Sequence, residues 1–474
     1  MAALLIAAIP VLFVSCGPGG STTNGNGDRT DTIHKFVNWV TLFKPSTTAS
    51  QRQQIIEKLK NELRSVNSEK PANERDSIAN PVKYYLYHYF VDSLKIDRRF
   101  SVVDVQEYHC NCDDSLLWNL TAGIQTDSSG LSYPSPTPPP PKTKVSGDPF
   151  DALTKNDLIK DPKHDLNVLV PGAQLKYPSG FMVNDKSVIA IIDTGIDTAL
   201  LDEGVKKTIL LGRERGSRNM ISGTNRFLFN DDHVMRHGTA VTAIAMNAYY
   251  NESGSKQLPK ILSLKALDST GSGTLFDFIC ALSYAIQQKV SAVNASMGYY
   301  GEPNEVLEKY LRKSTFDSIP VIAAAGNDTS AHSSPLCYNM LNAANLLNDP
   351  GHLFFPACNA YPKYNLDVIS VTGFSAPGMP CYYQNYSNSF VTLAVMNQRA
   401  DTGCCNYSVP FIDKRIPVSG SSFATPVVTG KLAFRLSSRP RITGVPNYLN
   451  TLGSVLHAPP AGGEVTMRNN YITY

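Results

Sequence analysis

The chain has 474 residues, is 42% apolar, and carries 43 basic against 40 acidic side chains for a formal charge of +3. Such a composition supports at least one large core and two or three domains, and it excludes a disordered chain or a repeat array. The near balance of charge gives no reason to expect nucleic acid or another polyanion as a partner.

Residues 1–16 hold no charged side chain and run through Leu4, Leu5, Ile6, Val11, Leu12 and Val14, an apolar core of signal-peptide length that is short for a bilayer span. Its end, Phe13-Val14-Ser15-Cys16, resembles a bacterial lipobox, which implies lipidation of Cys16 and a membrane anchor. Phe13 and the lack of a preceding Lys or Arg depart from that pattern, and a plain secretory signal is the alternative. Either way the chain is expected to be exported to the bacterial cell envelope, lipid-anchored or secreted. Residues 17–31 are a Gly-, Ser-, Thr- and Asn-rich tether. A small α+β module is expected over 32–123. It has strands at 33–43, 100–108 and 116–120, and an amphipathic helix at 47–66 carrying Ile55, Leu59, Leu63 and Val66. Pro134, Pro136 and the run from Pro138 to Pro141 then make 124–149 a semi-rigid linker.

Beyond residue 150, short apolar strands alternate with helices. Strands are expected at 188–192, 261–267, 292–296, 320–325 and 367–372, and helices at 240–249, 275–289 and 304–316. Thr274 and Asp277 form a candidate capping box for the second helix. The rhythm predicts a doubly wound α/β fold, a mostly parallel sheet with helices on both faces and its site at the carboxyl ends of the strands. Of nine cysteines, Cys16 is set apart as the lipidation candidate, and the other eight permit disulfides without fixing their connectivity. Cys280 lies on the apolar stripe of the 275–289 helix and is expected to be a buried free thiol. Cys110-x-Cys112 lacks a second ligand pair, so zinc is a poor reading.

Four segments carry chemistry. Asp193 ends a strand in Asp193-Thr194-Gly195, where a carboxylate can accept from an imidazole; taken alone, an Asp capping a turn is the ordinary explanation. His237 lies in His237-Gly238-Thr239, where the chain enters the helix expected at 240–249, and imidazole suits proton exchange near neutral pH. Asn327 ends the strand of Ala324-Ala325-Gly326, where its amide can donate to a developing oxyanion. Ser422 sits in Gly420-Ser421-Ser422-Phe423-Ala424-Thr425-Pro426, a small nucleophile at a helix start. Pro426 is expected in the first turn, where a missing N–H costs nothing.

Together these segments resemble the motifs of the subtilisin-like serine proteases, the subtilases, in the chain order Asp, His, Ser. The resemblance implies a serine endopeptidase acting on polypeptides through an acyl-enzyme, with Ser422 as nucleophile, His237 as base, Asp193 as its orienting carboxylate and Asn327 in the oxyanion hole. Gly271, Ser272 and Gly273 resemble one wall of the substrate cleft. Ser296, Met297 and Gly298 resemble the other, beside Ala324, Ala325 and Gly326. Phe355-Pro356-Ala357 resembles a family segment whose proline is often cis. No cofactor is implied, and a structural Ca²⁺ is common in the family, with no ligands assignable from these carboxylates.

Several positions depart from the family pattern. Ser421 stands for the usual Thr, Thr242 for a common Gly, and the segments 327–356 and 395–416 are long and contain cysteines, which suggests Cys337 with Cys358 as a disulfide. The module at 32–123 fits either a removed propeptide or a partner-binding domain. The rival readings are a catalytically silent subtilase fold that binds a partner at the surface, or a non-protease hydrolase. The latter lacks its usual Gly-x-Ser-x-Gly elbow here.

Overall fold

Two units divide the chain in this computed structural model, Met1–His109 with Gln125–Asp148, and Cys110–Ile124 with Pro149–Tyr474. The structure describes residues 6–9, 38–42, 50, 82–87 and 105–108 in the first. In the second it describes 174–327, 353–396, 406–453, 456–457 and 471–473, apart from short breaks. Cys16, the 17–31 tether, the 47–66 helix except residue 50, the 116–120 strand, the 124–149 linker, Thr274 and Cys337 lie outside the described residues.

The first unit holds a sheet of β1 (Ile6–Ile9), β2 (Asn38–Leu42), β3 (Val82–Tyr87) and β4 (Val105–Tyr108), in that order. β1 runs antiparallel to β2, and the other pairs are parallel. β2 and β4 fall within the predicted strands. β3 was not anticipated, although Val82, Tyr84, Tyr85 and Tyr87 supply the aromatic and β-branched residues that favour a pleated surface.

In the second unit the central strand is β5 (Met182–Asp193), and it is followed by β6 (Arg218–Asn219), helix α1 (His237–Glu252), β7 (Gln257–Lys265) and helix α2 (Leu275–Gln287). Next come β8 (Ala292–Ala295), β9 (Tyr299–Tyr300), helix α3 (Glu305–Phe316), β10 (Val321–Ala324), β11 (Phe354–Phe355) and β12 (Val368–Ala376). The chain continues through β13 (Met379–Pro380), β14 (Leu393–Met396), and the hairpin of β15 (Asn406–Phe411) and β16 (Lys414–Ser419). Helices α4 (Ser421–Leu436) and α5 (Val445–Leu452) and strands β17 (Leu456–His457) and β18 (Tyr471–Thr473) complete it. Every strand predicted in this region is present, with ends shifted by a few residues. The 395–416 stretch, expected as a long loop, contains β15.

The main sheet runs β17-β18-β14-β12-β10-β8-β5-β7-β6, parallel from β18 to β6, with β17 and β13 antiparallel at its margins. From β5 the chain places β6 and β7 on one side and then returns to β8 on the other. The order therefore reverses between β5 and β8, and in doubly wound sheets a crevice opens at the carboxyl ends of two such strands. Asp193 ends β5, and Ser296 immediately follows β8.

Alternation along β5 divides the core. Ile189 and Ile191 join the cluster under α1 and α4, together with Val241, Ile244, Phe423 and Val428. Ala190 and Ile192 are also fully buried but lie outside that cluster, and α2 packs against β5 and β7. α1 and α4 are buried on nearly every side, as expected of helices enclosed by core. Their amino ends bring residues 237 and 422 to the crevice.

Candidate active site

His237 is the first residue of α1, three positions earlier than the sequence suggested, because Arg236 turns the chain through a left-handed conformation (φ 49°) directly before it. Its Nδ1 lies 2.7 Å from Asp193 Oδ1, and both side chains are buried. The same carboxylate oxygen accepts the Thr194 N–H at 2.7 Å. A carboxylate fixed in this way favours the tautomer that keeps the His237 proton on Nδ1. The approach depends on Gly238, where a Cβ would collide with the Gly195 carbonyl and stand 3.1 Å from Thr194 Oγ1. The His237 ring then packs on Phe423, with centroids 5.1 Å apart, next to Ser422.

Ser422 follows a turn at Gly420, whose φ of 134° lies outside the range comfortable for other residues. At the second position of α4 its N–H has no intrahelical acceptor, and the helix end adds partial positive charge. Ser422 is joined to Ser296 twice: Ser422 Oγ donates to the Ser296 carbonyl at 3.1 Å, and Ser296 Oγ donates to the Ser422 carbonyl at 2.7 Å. Behind them, Thr429 Oγ1 donates to Asn294 Oδ1 (2.9 Å) and Asn294 Nδ2 to Ser296 Oγ (2.8 Å). Pro426 corrects the sequence reading here. It is the sixth residue of α4, not part of a first turn, and the bond it withholds is the one to the Ser422 carbonyl.

Asn327 Oδ1 accepts the Ser421 N–H at 3.0 Å and the Ser421 hydroxyl at 3.2 Å, while Ser421 Oγ accepts the Gly326 N–H at 3.1 Å. These bonds fix which end of the amide is carbonyl and leave the NH₂ as the donor end. The hydroxyl retained at Ser421 thus holds Asn327 to the start of α4. Thr242, the other departure in these segments, donates its hydroxyl to the Gly238 carbonyl at 2.7 Å and stays within α1.

Ala324, Ala325 and Gly326 run from the end of β10. The Ala325 N–H bonds the Val371 carbonyl, and the Ala325 and Gly326 carbonyls accept from the side chain and backbone of Asn385 (both 2.9 Å). Ser296 and Met297 are buried after β8. Gly271, Ser272 and Gly273 form the loop after β7, where Asp268 Oδ1 accepts the Thr270 and Ser272 N–H groups at 2.8 and 3.1 Å. The Phe355-Pro356 bond is cis.

Two cysteine expectations fail. Cys280 is buried but disulfide-bonded, because an apolar stripe encloses a disulfide as readily as a thiol. Cys358, proposed to pair with Cys337, is a free thiol that accepts the Phe354 N–H at 3.3 Å, and burial pushes its pKa up to about 12. Sequence reasoning also missed Asp231 and His233, both buried beside the Asp193–His237 pair. Burial pushes the Asp231 carboxyl up to about 6 and, with the nearby His237, His233 down to about 4. Among the described residues no group of His, Cys, Asp and Glu side chains is placed to hold a metal ion.

The site thus sets an imidazole on a buried carboxylate, next to a serine at a helix start, at the switch point of a parallel sheet. The model of the subtilase family, peptidase S8, matches residues 184–448. The chain belongs to that family of serine proteases. It is similar to the cell wall-associated protease of Bacillus subtilis (strain 168), 24% identical over 310 residues that cover 64% of this chain and 30% of that protein. It is also similar to subtilisin amylosacchariticus of Bacillus subtilis subsp. amylosacchariticus, 31% identical over 200 residues, 40% of this chain and 48% of that one. Among solved structures it is similar to a cold adapted subtilisin-like serine proteinase, with 19% identity, a TM-score of 0.40, and coverage of 69% of this chain and 98% of that one. The matched regions span between about a third and a half of these two curated relatives.

Proposed function

We propose that the chain is a serine endopeptidase that hydrolyses polypeptides through an acyl-enzyme on Ser422. The observation that carries this reading is the 2.7 Å contact between His237 Nδ1 and Asp193 Oδ1, with the imidazole packed on Phe423 beside the serine. Ser422 Oγ attacks the scissile carbonyl after turning from the Ser296 carbonyl towards His237, whose Nε2 takes the hydroxyl proton. The imidazolium stays paired with Asp193 and returns the proton to the leaving amine. Water then repeats the sequence, and Ser422 leaves as the hydroxyl with release of the acid. The Asn327 amide and the Ser422 N–H serve as oxyanion donors, aided by the end of α4. Nothing in these steps draws on a cofactor. The names of relatives such as the cell wall-associated protease support an exported location.

Labelling by a fluorophosphonate probe, with peptide cleavage measured in parallel, tests the reading. The wild-type chain is expected to be labelled at Ser422 and to cleave, and Ser422→Ala to do neither. A folded wild type that is inert in both assays favours the silent binding fold instead.

A further inference from the structure

Six residues before His237 lies a fully buried carboxylate, Asp231, that the proposed reaction does not use. It accepts four hydrogen bonds. Oδ1 takes the Thr194 hydroxyl at 2.9 Å and the His233 N–H at 3.2 Å, and Oδ2 takes the Thr239 N–H at 2.9 Å and the Thr239 hydroxyl at 2.7 Å. The two threonines are neighbours in space of the reacting pair. Thr194 follows Asp193, and Thr239 stands two residues after His237.

Each hydroxyl also bridges the two segments. Thr194 Oγ1 accepts the Gly238 N–H at 2.8 Å, and Thr239 Oγ1 accepts the Asp197 N–H at 2.9 Å. A backbone N–H can only donate, so each hydroxyl must send its own proton onward, and in both cases the receiver is Asp231. An ionised carboxylate accepts at both oxygens and offers no proton, whereas an amide would turn an N–H against one of these donors. The loop after β5 and the start of α1 are therefore cross-linked directly at Thr194–Gly238 and at Asp197–Thr239, and Asp231 orients both bridging hydroxyls by taking the proton of each.

We propose that Asp231 is a positioning residue, whose carboxylate locks the loop carrying Asp193 to the helix start carrying His237 and thereby sets the contact between them. This inference rests on the serine protease reading of the same site. Burial, and to a lesser extent the charge of Asp193, opposes ionisation of Asp231, and the bonds from Thr239 and Thr194 favour it, so the carboxylate is the form the hydrogen bonds hold once pH stands above about 6. Lys265 Nζ binds the Thr194 carbonyl and Asp232 Oδ1, both at 2.7 Å, and Arg236 pairs with Asp197 at 3.0 Å, so a buried lysine holds the loop after β5 and Arg236 ties that loop to the start of α1. His233 and His237 face one another with ring centroids 6.5 Å apart.

The test compares the full chain with Asp231→Asn, Thr239→Val and Thr239→Ser, each also built on His237→Ala. Misplacing a reacting group by about an ångström costs up to about 10²-fold. Asp231→Asn is therefore expected to lower kcat and the rate of fluorophosphonate labelling by about 10- to 100-fold, with KM within about twofold. Thr239→Ser is expected to recover most of what Thr239→Val loses. On the His237→Ala background, Asp231→Asn is expected to add little, since the group it positions is gone. An equal loss on both backgrounds, or an unchanged kcat, overturns the proposal. A separate readout holds even if the chain proves not to be a protease: the downfield proton resonance of the His237 Nδ1–H in its bond to Asp193. Loss or faster exchange of that resonance in Asp231→Asn or Thr239→Val supports positioning, and an unchanged resonance in both refutes it.

Discussion

The Ser422 carbonyl accepts the Ser296 hydroxyl at 2.7 Å because Pro426, four residues further along α4, has no N–H to offer it. A proline inside a helix ordinarily leaves a carbonyl unpaired. Here the orphan lies at the proposed nucleophile and is satisfied from the neighbouring strand, which draws the end of β8 against the start of α4.

Ser296→Ala is accordingly expected to strand a buried carbonyl and destabilise the chain by about 1–3 kcal/mol. For a domain of this size that corresponds to a fall of roughly 2–4 °C in Tm per kcal/mol. Pro426→Ala restores the N–H, so on the Ser296→Ala background it should recover part of the loss. Thermal denaturation of the four proteins measures this, and strictly additive effects would show that the two residues do not share the carbonyl.

Asn327 is held at its carbonyl end by Ser421, which commits its NH₂ to donation. Asn327→Ala is expected to lower kcat by about 10²- to 10³-fold, the magnitude reported for one such amide in subtilisin, with KM changed little. Asn327→Asp should be no better, since a carboxylate would repel the oxyanion. Steady-state kinetics on a peptide substrate decide it, and a loss confined to KM would remove Asn327 from the oxyanion role.

The two helices of the site meet at Gly430. A Cβ there would collide with the Ala245 carbonyl and stand 2.9 Å from both Ala248 Cβ and Tyr249 N. Further along, Glu252 at the end of α1 pairs with Arg435 and, at 3.6 Å, with Lys431 of α4. Overpacking this contact by Gly430→Ala is expected to cost about 1–3 kcal/mol. Because the spacing of α1 and α4 also sets residue 237 against 422, kcat should fall in the protein that remains folded. Calorimetry together with active-site titration separates the two effects; a full-activity, full-stability variant would mean that the helices can part freely.

Much of the second unit was legible because β-branched runs such as Val188 to Ile192 and the stripe of Leu275, Ile279, Leu282 and Ile286 state their periods openly. The Asp193, His237, Asn327 and Ser422 segments stand out in the sequence by their small neighbours, and the close approaches at Gly238 and Gly326 leave no room for a larger residue. Asp231 was not legible, since its meaning depends on hydroxyls and backbone N–H groups from separate segments. Nor was the true position of Pro426, which required knowing that α4 begins at Ser421. The state of Cys280 and Cys358 escaped for a different reason: burial suits a thiol and a disulfide equally, and pairing is decided by geometry alone.

The last prediction concerns acid. Asp231 in the folded chain titrates at about 6 against an ordinary 3.8, so between these values the folded state holds a proton that the unfolded state has lost. Its contribution to stability is complete below pH 3.8 and disappears as pH rises through 6. His233, held down to about 4 from 6.5 by burial and by His237, Lys265 and Arg236, behaves in the opposite sense. Its contribution is present above pH 6.5 and is lost as pH falls through 4. The two slopes nearly cancel in the wild type over about pH 4 to 6. Asp231→Asn removes only the first, so the variant should lose stability on acidification more steeply than the wild type, by up to about 1.4 kcal/mol per pH unit. His233→Gln should reverse the sign and flatten or invert the acid loss. Denaturant midpoints measured every half unit from pH 4 to 7 test both, and parallel curves for the three proteins would mean that neither group titrates as its surroundings require.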